Sequence, residues 1–229
     1  MRGDKRVKLL AIETATDACS AALSIDGELC ERFEIAPRAH TELILPMIDE
    51  LMAEAGITIS QVDAMAFGRG PGAFTGVRIA VGVTQGIAFA VDLPVVPVST
   101  LAALAQGVRG ERVLAALDAR MDEVYWGAYQ RNAAGLVERI GEECVSSPSD
   151  VPCPPGNDWQ GAGAGWMAYE TVLVARCEGQ VTSWDGSAFP HARDVALLGV
   201  AGYEAGQGVN AEQALPVYLR DKVTWKKVR

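Results

Sequence analysis

Between residues 75 and 91 the chain reads TGVRIAVGVTQGIAFAV, with Arg78 as its only charge and Thr84 and Gln85 as the only polar side chains past the first residue. A surface helix ordinarily carries an apolar stripe with a polar face opposite. A helix this apolar all round must be covered on more than one side. Gly82, Gly86 and Ala90 recur at i, i+4 and i+8, a bare stripe along which another backbone can come close. One face can rest on the chain's own sheet, and the other calls for a partner. The expectation is a subunit whose main business is docking.

With 229 residues the chain can form one large domain or two small ones. Its 49% hydrophobic content, against 21% charged, excludes global disorder. A formal net charge of −9 argues against autonomous nucleic-acid binding, which needs cationic surface to neutralise phosphates. The five cysteines (Cys19, Cys30, Cys144, Cys153, Cys177) are odd in number and contain no CxxC pair, so reduced thiols are expected rather than a disulfide framework or zinc site. The start, MRGDKRVKLLAIET, is apolar for too few residues to be a signal peptide. No uninterrupted apolar run reaches the ~18 residues of a membrane span. A soluble, cytoplasmic protein without membrane partners is expected.

Residues 7–14, 19–25 and 29–35 read as three strands, with Asp26-Gly27 as the tight turn joining the last two into an antiparallel meander. A first helix follows, with Thr41 as its expected cap and Leu43, Ile44, Met47, Ile48, Leu51, Met52 and Ala55 at helical spacing. Pro46 predicts a kink or a late start, and Gly56 a terminus. A strand over 62–67, the apolar helix, a strand over 95–98 and a helix over 100–107 complete an α/β layer whose last strands are parallel.

The second half repeats the pattern. KLLAIETATDACSAALSIDGELCERFEI and RVLAALDARMDEVYWGAYQRNAAGLVERI share a basic start, an apolar strand ending near an acid (Glu13, Asp118), a second strand, a turn and a third strand carrying Glu-Arg. This is an internal duplication of one supersecondary unit. The expected fold class is α/β, two-lobed and actin-like, as in the actin, hexokinase and Hsp70 superfamily with its ribonuclease-H-like units. Lobes are placed at residues 1–107 and 108–229, the second degenerate, with the last helix and tail packing back on the first. After a Pro/Ser-rich loop, QGAGAGW opens a helix over 167–176, and another helix covers 192–205.

IETATDACSAAL, HTELILPMIDELMAEAG, GRGPGAFTGVRIAVGVTQGIA and PVYLRDKV together closely resemble the bacterial TsaB (YeaZ) family, over nearly the whole chain. The resemblance implies an actin-like fold and membership of the complex that makes threonylcarbamoyladenosine on tRNA, at the adenine next to the anticodon. It implies an inactive relative of TsaD, the metal-binding subunit that transfers the threonylcarbamoyl group from its AMP adduct, with the ATPase TsaE joining the pair. It further implies pairing with TsaD, or with a second copy, through the two helices of residues 40–90. The interface residues expected are His40, Leu43, Met47, Leu51, Arg78, Gly82, Gly86 and Ala90.

Catalytic relatives use an HxxxH pair on the first helix as metal ligands, since two imidazoles one turn apart reach one ion. Here His40 is followed four residues on by Ile44, which coordinates nothing, and His191 is distant. No metal, no cofactor and no catalytic residue are therefore expected. Gly68-Arg69-Gly70-Pro71-Gly72 can bind an anion at a helix start or can serve as a tight turn with close packing; it lacks the Lys-Ser/Thr of a P-loop. Gly161, Gly163 and Gly165 stand where the superfamily places its adenosine loop, a candidate vestigial nucleotide site. Ser99 or Thr100 reads as a helix cap rather than a nucleophile. The tail adds Arg220, Lys222, Trp225, Lys226, Lys227 and Arg229, a candidate contact for tRNA or a partner. The competing readings are an ATP-binding kinase or ATPase of the actin-like superfamily, and a glycoprotease-like metallopeptidase.

Overall fold

The computed structural model describes residues 7–220. β1 (Lys8–Glu13), β2 (Ala18–Ile25) and β3 (Glu28–Ile35) form the expected meander, with Asp26 and Gly27 both at positive φ in its turn. α1 (His40–Ala55), β4 (Ala64–Gly68), α2 (Phe74–Val91) and β5 (Val95–Val98) follow, and β4 and β5 add parallel to β1. The first sheet runs β3-β2-β1-β4-β5. After α3 (Thr100–Gly107) the order begins again with β6 (Arg112–Arg120), β7 (Glu123–Arg131) and β8 (Val137–Ser146), antiparallel neighbours. β9 (Trp159–Ala162), α4 (Ala164–Arg176), β10 (Val181–Asp185) and α5 (Ala192–Glu204) complete the fold. The second sheet, β10-β9-β6-β7-β8, repeats the topology of the first. The fold is thus the duplicated actin-like α/β architecture.

The second half is not a strict copy of the first, and some local details differ from expectation. The strands β9 and β10 are not among the expected elements; both are short, β9 interrupted by Gly161 and β10 an exposed sheet edge without an apolar alternation. Residues 147–158, which correspond to α1 in the first half, hold no helix. Thr41 does not cap α1: the helix starts at His40, after Ala39, whose carbonyl accepts from Glu42 and Leu43 N–H. Pro46 therefore lies inside the helix rather than delaying it, while Gly56 closes it in the left-handed conformation (φ 64°).

Alternation along β1 sets the layers. Leu10 and Ile12 join the core beneath α1 and α2, whereas Leu9 and Ala11 face α5. That second face is rich in alanine (Ala11, Ala22, Ala64, Ala66), so α5 comes close enough that a Cβ on Gly199 would sit 2.5 Å from the Ala66 Cβ. α3 precedes the sequence boundary at residue 107, yet its Leu101, Leu104 and Ala105 belong to the core of the second sheet. α4 covers the opposite face, its own Trp166 packing in one core with Trp126 and Trp159. α5 on the first sheet and α3 on the second form the middle of an α/β/α/β/α stack.

Candidate docking surface

α2 has two unlike sides. Gly76, Val77, Ala80, Val81, Thr84 and Ala88 are buried against the sheet. Arg78, Gly82, Gly86, Phe89 and Ala90 are exposed. A helix of this length and hydropathy (mean 1.5 over 18 residues) could by composition cross a membrane, but its buried residues are packed on the sheet as those of a core helix are. The glycines divide the same way. A Cβ at Gly76 would lie 2.0 Å from the Thr14 carbonyl oxygen, so the chain's own packing demands that glycine. At Gly82 and Gly86 a Cβ would meet nothing within 4 Å. Glycine in a helix interior is about 1 kcal/mol less favourable than alanine, and nothing in this fold offsets that at either position. Close approach of another backbone would.

The expected interface residues do not all share this surface. Gly82, Gly86, Ala90 and Arg78 lie on it; Arg78 stacks 3.7 Å over the Phe74 ring and donates to the Tyr218 hydroxyl at 2.9 Å. Leu43 is half-buried. Met47 and Leu51 are corrected to core positions, since α1 turns them onto its own sheet. His40 is also buried: its Nε2–H donates to the carbonyls of Thr16 (2.8 Å) and Ala18 (3.2 Å), tying the start of α1 to the β1–β2 loop. Sequence reasoning missed Leu45 (50% exposed) and Phe89 (56%). Leu45 breaks the apolar spacing of α1, and that was the available signal. Phe89 was masked by a helix that is apolar throughout.

The turn after β4 is engaged with its own chain: Arg69 N–H donates to Val98 O (2.8 Å), Ala73 N–H donates to Ala15 O (2.7 Å), and Gly70 O accepts from Thr100 N–H (3.0 Å). Ser99 caps α3, its hydroxyl oxygen accepting from Leu101 and Ala102 N–H. The Glu13 carboxylate fills the space beside Gly68, where a Cβ would fall 1.9 Å from Oε2. It accepts from Ala15 N–H (2.7 Å) and from the Thr100 hydroxyl (3.0 Å).

Burial pushes Glu13 up from 4.5 to about 7, against those two hydrogen bonds, which favour the ionised form. In the unfolded chain the group titrates near 4.5, so between pH 4.5 and about 7 the folded state keeps a proton that the unfolded state has lost. Stability from this group accordingly falls as pH rises through that window. Glu13→Gln, neutral throughout, should be more stable than the parent by about 2–3 kcal/mol above pH 7 and by little at pH 4.5. Urea midpoints of the two proteins at pH 4.5 and pH 8 check this; a gap of equal size at both pH values would refute it.

Gly161, Gly163 and Gly165 are buried where β9 meets α4. A Cβ at Gly161 would strike the Trp166 ring (2.5 Å), one at Gly163 the Ala116 carbonyl oxygen (2.5 Å), and one at Gly165 the Ala116 Cβ (2.7 Å). The chain's own atoms take the space in which a purine was sought, so close packing accounts for these glycines. Among the described residues no group of three or more His, Cys, Asp or Glu is placed to hold a metal. Ile44, one turn from His40, is fully in the core. Arg220 pairs with Glu123 and donates to Arg120 O (3.4 Å), fastening the tail to the β6–β7 turn. Lys222, Trp225, Lys226, Lys227 and Arg229 lie outside the described residues.

Residues 34–227 match the family model described as "TsaD: tRNA N6-adenosine threonylcarbamoyltransferase". The chain is 42% identical to the "tRNA threonylcarbamoyladenosine biosynthesis protein TsaB" of Escherichia coli (strain K12), over 97% of this chain and 98% of that protein. It is 41% identical to the Haemophilus influenzae protein of the same name, with 98% of each covered. The chain belongs to the TsaB family. The solved structure described as "YeaZ from Pseudomonas aeruginosa" superposes with a TM-score of 0.87 at 50% identity, covering 93% of this chain and all of that one. The two TsaB relatives are matched over nearly their whole length, and the TsaD model match runs from the end of β3 through the second sheet. The match to the TsaB family therefore includes the second sheet as well as α2.

Proposed function

We infer that this chain is a non-catalytic subunit in the biosynthesis of threonylcarbamoyladenosine on tRNA, docking through α2 onto a TsaD-type transferase and, when alone, onto a second copy of itself. The names of its TsaB relatives support the pathway, and the match to a TsaD model supports a shared fold with the transferase. The observation that carries the docking role is the open face of α2, with Gly82 and Gly86 facing empty space. The accessory role is supported by three placements: His40 Nε2 is engaged with backbone carbonyls, Ile44 stands in the core, and the Glu13 carboxylate occupies the space beside Gly68. These placements also weigh against an ATP-dependent kinase or a metallopeptidase. The subunit acts by supporting the transferase's active conformation, TsaE joins the pair, and tRNA is met through the complex, in the cytoplasm.

The test is a modification assay with TsaD-type transferase, TsaE, ATP, tRNA and the threonylcarbamoyl adenylate. Adding this chain should raise threonylcarbamoyladenosine at least about tenfold, a coupling within the usual range between sites, and the chain without the transferase should transfer nothing. Transfer by this chain alone, or a transferase indifferent to it, would contradict the reading.

A further inference from the structure

The segment 147–158, which replaces a helix in the second half, ends its approach to α4 with two thiols in contact. Cys153 Sγ lies 3.2 Å from Cys177 Sγ. The pairing is held from both sides. Trp126 Nε1–H donates to Pro152 O (2.9 Å) and Gln180 Nε2 donates to Pro154 O (3.1 Å), fixing the backbone on either side of Cys153. Arg176 Nε–H donates to Val151 O (3.0 Å), joining the same segment to the residue before Cys177. Cys177 is buried at 2% exposure, whereas Cys153 is half-buried and reachable from solvent. The sulfurs stand roughly 1.2 Å farther apart than the ~2.05 Å of a disulfide.

We propose that Cys153 and Cys177 form a reversible redox pair that reacts with low-molecular-weight disulfides and, when oxidised, staples the 147–158 segment to the end of α4. The Cys153 thiolate attacks one sulfur of the external disulfide, breaking its S–S bond and releasing one thiol. Cys177 then gives up its proton and attacks Cys153 Sγ, releasing the second thiol. Two protein thiols are oxidised and one external disulfide is reduced to two thiols. The order follows from access and acidity: burial, with the hydrogen bond to Cys153 adding to it, pushes the Cys177 thiol up to about 12, so the solvent-facing Cys153 is the point of entry. Such a pair suits a reducing compartment, where protein disulfides are typically transient.

Glutathione disulfide is the probe, and a Cys30→Ser background removes the exposed thiol that would react independently. In that protein the four remaining thiols should fall to two, counted after denaturation, with the intact mass lower by two hydrogens and no glutathione retained. The thermal midpoint should rise by on the order of 5 °C and return on adding dithiothreitol. Cys177→Ser in the same background should stop at a glutathione adduct on Cys153. Four persisting thiols, or a stable glutathione adduct on Cys153 with Cys177 still free, would overturn the proposal; the thiol count decides it even where the serine variant fails to fold.

Discussion

Gly76→Ala should destabilise the protein by at least ~3 kcal/mol, the upper range for overpacking a rigid site, although alanine is the better helix former by about 1 kcal/mol. The added methyl would stand 2.0 Å from the carbonyl oxygen of Thr14, itself buried, and the Thr14 hydroxyl donates to Gly76 O at 2.7 Å. The obstruction is backbone, not the end of a flexible side chain, so β1 and α2 must separate or the hydrogen bond must break. Gly82→Ala on the same helix should have the opposite sign in the monomer, a gain of about 0.5–1 kcal/mol, because its methyl meets nothing within 4 Å. Denaturant unfolding of the three proteins at a concentration where all are monomeric measures both. A Gly76→Ala variant as stable as its parent would mean that the β1–α2 contact is looser than described, and a destabilised Gly82→Ala that the open face is not open.

Much of the fold could be read from residue order because the signals were local. Asp26-Gly27 needs left-handed angles and has them, Gly56 ends α1, and the repeat of strand, acid, strand, turn and strand announced the second sheet before its topology was seen. What escaped depended on partners far along the chain. β10 has no apolar face, and only its pairing with β9 makes it a strand. α3 reads as the close of the first half, but its leucines pack on strands that follow it.

The candidate surface was legible in part for the same reason. Periodicity identified α2 as over-apolar, and the i, i+4 glycines marked its outer face. On α1 the apolar repeat already turns Met47 and Leu51 inward and leaves Leu45 off the stripe; it is the family resemblance, which marks the helix pair as a whole, that places Met47 and Leu51 at an interface. Glycines posed the harder problem. Gly161, Gly163 and Gly165 resemble a ligand loop in sequence, and only the positions of Trp166 and Ala116 show that they serve packing.

The open face of α2 carries the functional account, and tryptophan is the sharpest probe of it. At Gly82 or Gly86 the Cβ of a tryptophan would meet no atom of the chain within 4 Å, on an exposed helix face, so monomer stability should change by less than about 1 kcal/mol. Against a closely approaching partner backbone the same indole is a wedge with no rotamer that avoids the contact. Loss of close packing at the centre of an interface typically costs about 2 kcal/mol or more, at least about thirtyfold in affinity. Phe89, exposed on the same helix, would remain and could not restore the approach. The decisive measurement is sedimentation equilibrium of the parent, Gly82→Trp and Gly86→Trp, each alone and mixed with the TsaD-type transferase. The account predicts a parent that dimerises and binds the transferase, and variants that do neither while unfolding at the midpoint of the parent diluted to monomer. Variants that associate as tightly as the parent would contradict it.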